Sequence, residues 1–94
     1  MKITVEYSGQ IKKAAGCQRE DLDIDDGASA QDVVARVADA HGEPLASFLL
    51  DDERRLRATV LAFVNNEQLH WGTSRSLTGG DEIVFMSAIA GGSA

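Results

Sequence analysis

Few residues in this chain could do chemistry, and most are badly spaced for it. Ser, His and Asp all occur, but there is no Gly-x-Ser-x-Gly elbow to expose a serine nucleophile. The two histidines, His41 and His70, belong to no metal-binding spacing such as His-Glu-x-x-His. Both read as surface histidines: His41 at a helix end, where it can meet terminal carbonyls, and His70 in an edge strand beside Trp71. Cys17 is the only cysteine. It could act as a nucleophile only with a base nearby. The sequence offers no local partner, so it reads as a partly buried structural thiol. Asp51, Asp52 and Glu53 lack the alternation and glycine of a calcium loop. Arg54 and Arg55 follow at once, which makes a solvated charged loop the better reading. Trp71, the only tryptophan, is either a lid on the core or an interface anchor. Gly91-Gly92 has no helix after it, so it cannot cradle a phosphate at a helix N-terminus. On composition alone it is a frayed chain end.

Composition narrows the classes further. The chain has 94 residues, 44% hydrophobic and 26% charged, as expected of one small folded domain. Such a chain has little room for both a core and a deep cleft. Nine Lys and Arg against 15 Asp and Glu leave a formal charge of -6. That excludes the basic footprint of a nucleic-acid binder and disfavours acidic membrane surfaces. A single cysteine permits no internal disulfide, thiolate-rich zinc site or ferredoxin-type cluster. No segment is apolar and long enough to span a bilayer, and the first residues lack a signal-peptide pattern. A cytoplasmic location is the default expectation.

The elements that must carry these residues are legible from periodicity. Lys2 to Tyr7 alternates, with Ile3, Val5 and Tyr7 on one face, as in a half-buried strand. Residues 11–16 show no clear period and read as a loop. Residues 19–26 alternate again, with Leu22 and Ile24 inward and acidic residues outward, giving a second strand paired antiparallel with the first as a hairpin. Its acidic density is either a solvated edge that blocks aggregation or a docking face for a basic partner; the solvated edge is preferred. Ala30, Val33, Val34, Val37 and Ala38 form the stripe of an amphipathic helix over Ala30 to His41. Ser29 and Asp32 approximate a capping box, and Gly42 closes the helix. Pro44 opens a short helical turn through Leu50, with Leu45, Phe48 and Leu49 on its apolar side. Residues 51–57 form a loop and residues 58–64 a buried strand. Asn65-Asn66 is a hairpin turn, and residues 68–71 a short return strand. After the turn at 78–81, residues 82–86 form the last strand. This order predicts an α+β chain with a β-grasp architecture: a mixed sheet of four to five strands and one main helix packed on one face. Residues 1–86 form the domain and residues 87–94 a flexible tail.

The run Leu77-Thr78-Gly79-Gly80-Asp81-Glu82-Ile83-Val84-Phe85-Met86-Ser87-Ala88-Ile89-Ala90-Gly91-Gly92 resembles the C-terminal signature of the MoaD/ThiS family of ubiquitin-like sulfur carriers. Val64-Asn65-Asn66-Glu67 is similar to that family's Val-Asn-Gly/Asp-Glu hairpin. The resemblance covers nearly the whole domain and is most specific from Val60 to Gly92.

The resemblance implies a protein co-substrate, not an enzyme. A partner activating enzyme would use ATP to adenylate a C-terminal glycine carboxylate. A persulfide or related donor would convert it to a thiocarboxylate, whose sulfur a synthase accepts. Gly92 would be the reactive residue and Gly91 its neighbour. Ser87, Ala88, Ile89 and Ala90 would form the partner-binding tail, with Ile89 as a hydrophobic latch. No cofactor or metal is expected on the chain itself.

Family carriers end at the second glycine, whereas Ser93 and Ala94 follow it here. Removal by a peptidase is the leading expectation. An extension foreign to the natural chain and loss of carrier activity are the alternatives. Met86-Ser87 stands where molybdopterin-synthase small subunits often carry Pro-Pro, and residues 88–92 look closer to carriers for cysteine or specialised metabolites. The rival functions are a ubiquitin-like modifier conjugated through Gly92 and a β-grasp binding module.

Overall fold

A computed structural model describes residues 1–88 of the chain. The elements run β1 (Lys2–Tyr7), α1 (Gly9–Ala15), β2 (Arg19–Asp23), α2 (Ala30–His41), α3 (Leu45–Leu49), β3 (Val60–Val64), β4 (Glu67–Gln68) and β5 (Glu82–Ser87). They build a five-stranded sheet in the order β2-β1-β5-β3-β4. The central pair, β1 and β5, is parallel, and every other pair is antiparallel. Helix α2 covers one face, and the architecture is the expected ubiquitin-like β-grasp.

The core follows from two periods meeting. Alternate residues Ile3, Val5, Tyr7, Val60, Ala62, Val64, Ile83 and Phe85 are buried on one sheet face. The buried stripe of α2 is Ala30, Val33, Val34, Val37 and Ala38, the residues that periodicity selects. Burying a valine or leucine of this kind stabilises a fold by about 1.5–3 kcal/mol. That helps hold a helix whose three valines propagate helix poorly alone. Its start is fixed by a full capping box. Asp32 N–H donates to Ser29 Oγ over 3.1 Å, and Ser29 N–H donates to Asp32 Oδ2 over 2.9 Å.

Several boundaries differ from the sequence reading. Residues 11–16 were expected as a loop, but Gly9–Ala15 is helical. Burial of Ile11 and packing of Ala14 and Ala15 against the core supply the drive, and Gly16 closes the helix at φ 78°. The β1–β2 pair is therefore a hairpin with a helix inserted, not a tight turn. Strand β2 stops at Asp23 instead of residue 26, although Ile24 N–H still donates to Met1 O over 2.8 Å. Phe48, assigned to the apolar side of α3, is 40% exposed, while Leu45 and Leu49 are buried. Strand β3 begins at Val60 rather than residue 58. The return strand is Glu67–Gln68, not residues 68–71. Asn65 and Asn66 take φ 49° and 73°, the left-handed values a tight hairpin requires. The last strand runs one residue further than expected, through Ser87.

Candidate functional site

The chain enters its C-terminal segment from a strand held on both sides. Strand β5 lies between β1 and β3, in register from Thr4↔Glu82 to Tyr7↔Phe85 on one side and from Val60↔Ser87 to Val64↔Ile83 on the other. Ser8 N–H donates to Phe85 O over 3.1 Å, and Ala88 N–H donates to Thr59 O over 2.7 Å. Ser87 and Ala88, two of the residues assigned to a partner-binding tail, are thus anchored to the sheet. Ile89, Ala90, Gly91 and Gly92 lie outside the described residues, as do Ser93 and Ala94.

The open face of the sheet is divided by chemistry. Leu61 opposes Met86 and Phe63 opposes Val84, and all four are half-buried on the face away from α2. Phe63, Asn66, Val84 and Met86 line a shallow depression there. On the β1–β2 half the same face is polar: Thr4 Oγ1 donates to Asp21 Oδ1 over 2.9 Å, and Arg19 pairs with Glu82 at 3.0 Å. The apolar half is therefore the one formed by β3 and by β5, which leads to the C-terminal segment.

Two sequence motifs lock this half together. Asn65 N–H donates to Glu82 O over 2.9 Å, and Glu82 N–H donates back to Asn65 Oδ1 over 3.0 Å. Asn65 Nδ2 donates to Asp81 Oδ1 over 2.8 Å, and Thr78 N–H donates to Asp81 Oδ2 over 2.8 Å. The Thr78 backbone bond, followed by the Asn65 amide, holds the Asp81 carboxyl below its usual range; slight desolvation works against them and the Arg75 charge with them. The hairpin and the Gly-Asp turn are one structural unit that sets where β5 begins.

A second cluster was missed by the sequence reading. His41 Nε2 lies 2.5 Å from Glu20 Oε2, and Tyr7 Oη donates to the same oxygen over 2.6 Å. Cys17 Sγ is 4.0 Å away from it. His41 is not a simple surface histidine: its side chain is only 21% exposed, and its ring meets Tyr7 edge-on at 5.8 Å. Cys17 does have partners, although it stays a half-buried thiol. Glu20 was read as outward-facing, yet it opposes Val5 in the register and shares the covered face with Leu22. Period-2 parity from Leu22 would have shown this. His41, 21 residues away, could not be found without the fold.

Electrostatics in the cluster favours an ionised Glu20. Burial alone would raise its pKa, but hydrogen bonds from Tyr7 and His41, with the charge of a protonated His41, lower it overall. Desolvation, then Glu20, pushes the Tyr7 hydroxyl far up. The same two causes, in that order, raise the Cys17 thiol. Cys17 is thus a poor nucleophile as it stands.

The remaining candidates sit apart from both places. His70 is exposed at the opposite edge of the sheet. Asp51 Oδ1 accepts from Glu53 N–H and Arg55 N–H, both over 2.9 Å, so this carboxyl organises its own loop. Trp71 is half-buried against the core, as a lid would be. Among the described residues, no helix is long and apolar enough to cross a membrane.

Comparison with known proteins agrees with this geometry. A family model described as the ThiS family matches residues 5–92. No curated protein matches the sequence. The fold is similar to SAMP1 from Haloferax volcanii, with a TM-score of 0.85, 21% identity, and coverage of 97% of this chain and 99% of that one. It is similar to a putative molybdopterin converting factor, subunit 1, from Pyrococcus furiosus, with a TM-score of 0.71, 21% identity, and coverage of 93% and 97%. It is also similar to a chain of the Amycolatopsis orientalis BexX/CysO complex, with a TM-score of 0.69, 22% identity, and coverage of 95% and 98%. At these identities the structural likeness establishes the fold, and the family model establishes the kinship. The chain belongs to the ThiS family of ubiquitin-like sulfur carriers.

Proposed function

We propose that this chain carries sulfur as a thiocarboxylate on Gly92, once the residues after Gly92 are removed by a peptidase. The reaction begins at the glycine carboxylate. A partner enzyme joins it to the AMP portion of ATP, and pyrophosphate leaves. The terminal sulfur of a persulfide donor then attacks the acyl carbon and AMP leaves. A second thiol on the partner attacks the donor-side sulfur of the resulting acyl disulfide, so the thiocarboxylate leaves and the partner is left with a disulfide. A synthase accepts that sulfur. The carrier supplies a docking surface and a reactive end, while ATP and the acid–base groups belong to the partners.

The observation that carries this reading is the placement of β5. It is a central strand with partners on both sides, and its apolar outer residues Val84 and Met86 lie beside Phe63 and Leu61. A partner that grips this half-face has a rigid reference for guiding the residues that follow Ala88, up to Gly92, into a narrow active site. Glycine at 91 and 92 allows close backbone approach, because it has no Cβ. An activating enzyme and a sulfur-accepting synthase are the partners this requires. The acceptor is a biosynthetic intermediate of molybdopterin, cysteine or a related pathway, and the reactions are placed in the cytoplasm.

A second reading has a specific observation behind it. One structurally similar protein is called small archaeal modifier protein 1. Activation of a modifier starts with the same adenylate, but ends in an isopeptide bond from Gly92 to a lysine. Intact mass spectrometry of the protein from its native host tests the carrier reading. It predicts a Gly92-ended form, part of it with one oxygen exchanged for sulfur. Finding only longer chains would overturn it. Gly-Gly remnants on lysines of other proteins, with no thiocarboxylate, would select the modifier. Full activity after deletion of Gly91 and Gly92 would select a plain binding module.

A further inference from the structure

We propose that Cys17, Glu20 and His41 form a binding site for a divalent transition metal, zinc in particular. The three potential ligand atoms all lie within 4.8 Å of one another. Zinc holds thiolate, imidazole and carboxylate at about 2.0–2.3 Å, which sets tetrahedral ligand atoms about 3.2–3.8 Å apart. The observed separations bracket that range: 2.5 Å between His41 Nε2 and Glu20 Oε2, and 4.0 Å between Cys17 Sγ and the same oxygen. An adjustment on the order of 1 Å in flexible side chains gives three good bonds.

The chemistry of the set selects the metal. A thiolate with an imidazole disfavours magnesium and calcium, which take oxygen ligands. Zinc would neutralise the charges of thiolate and carboxylate together. Binding transfers no electrons: Cys17 gives up its thiol proton to solvent, as does His41 if protonated, and the two side chains become metal ligands. A fourth position stays open for water or a partner's side chain, as the 21% and 28% exposure of His41 and Glu20 allows.

The surroundings resemble a supported site. Tyr7 is 1% exposed, and its hydroxyl donates to the same Glu20 oxygen, Oε2, over 2.6 Å. Outer hydrogen bonds of this kind orient metal ligands. The ligands also come from separate elements: Cys17 precedes β2, Glu20 lies on β2, and His41 ends α2. A bound ion would clip the edge strand of the sheet to the last turn of the main helix. In the metal-free state Tyr7 and His41 already satisfy Glu20, so the fold does not require the ion.

The test uses the full chain, stripped with a chelator and titrated with zinc against a chromophoric competitor. The expected result is one zinc per chain, with Cys17→Ser and His41→Gln each weakening it at least about 100-fold and Tyr7→Phe about 10-fold. His70→Gln, at the far edge, should change nothing. Cobalt should give a thiolate charge-transfer band in the wild type that Cys17→Ser lacks. Circular dichroism checks each variant's fold, and the cobalt band in the wild type and the conservative Cys17→Ser variant decides the matter if His41→Gln unfolds. No zinc binding, a wild-type cobalt complex without the thiolate band, or equal affinity in Cys17→Ser would overturn the proposal.

Discussion

Asn65 Nδ2 and Asp81 Oδ1 are 2.8 Å apart, joining the β3–β4 hairpin to the turn that launches β5. The two residues stand 16 positions apart in the chain and in separate motifs. Their bond gives a physical reason for both motifs to occur in one protein. The hairpin asparagine supplies a left-handed turn residue and a side-chain amide, and the turn aspartate supplies the acceptor.

Removing this link should weaken the fold without changing its topology. Asn65→Ala loses the side-chain bonds to Asp81 and Glu82 and puts alanine at φ 49°, a left-handed conformation that asparagine tolerates better and that costs alanine about 1–2 kcal/mol. Asn65→Gly loses the same bonds without the strain. Urea denaturation should rank the wild type above Asn65→Gly, and Asn65→Gly above Asn65→Ala. Each lost hydrogen bond accounts for about 1 kcal/mol.

Acid should remove part of the same stabilisation. The folded Asp81 and Glu20 carboxyls have lowered pKa values. A depressed folded-state pKa contributes stability above the unfolded value, and that contribution is lost as pH falls through the folded value. Stability should therefore drop as pH falls below about 4. Asp81→Asn and Glu20→Gln should each flatten that drop. Chemical denaturation between neutral pH and acid measures it. An unchanged profile in both variants would show that neither carboxyl contributes.

The core should tolerate truncation poorly. Phe85 is fully buried and stacks on Tyr7 at a centroid distance of 6.1 Å. Phe85→Ala should cost about 3–5 kcal/mol, a large fraction of the stability of a small domain. Ser29→Ala, which breaks only the helix cap, should cost about 1 kcal/mol. Thermal unfolding of both variants checks the ranking.

These elements differ in how far the sequence reveals them. Helix α2 is legible to the residue, because its valine stripe, capping box and closing glycine all agree. The Asn65-Asn66 turn is legible because asparagine tolerates the φ that a tight hairpin demands. Helix α1 is not, since its seven residues bury only Ile11 and show no full period. The Glu20–His41 contact is hidden for a different reason. It depends on α2 ending over the edge of the sheet, a long-range fact that local spacing does not encode. The shape of the apolar half-face is intermediate: its residues alternate visibly, but only the register places Phe63 beside Val84.

Charging that half-face should impair partner docking and spare the fold. Val84 and Met86 are half-buried on the open face beside Phe63. Met86→Glu should raise the KM of the activating enzyme for this carrier about 30-fold, the loss of a contact contributing about 2 kcal/mol. Asp23→Ser, at the exposed edge strand, should leave KM unchanged. Steady-state adenylation kinetics with each variant measure the difference, and an unchanged KM for Met86→Glu would move the docking surface elsewhere.

The central claim is that Gly92 becomes the sulfur-bearing terminus. Its most direct test is intact mass measurement of the chain ended at Gly92, after incubation with an activating enzyme, ATP and a sulfur donor. The predicted result is exchange of one oxygen for sulfur at the Gly92 carboxylate, dependent on ATP and lost when Gly91 and Gly92 are deleted. An unchanged mass, with an enzyme that demonstrably adenylates another carrier of this family, would contradict the account.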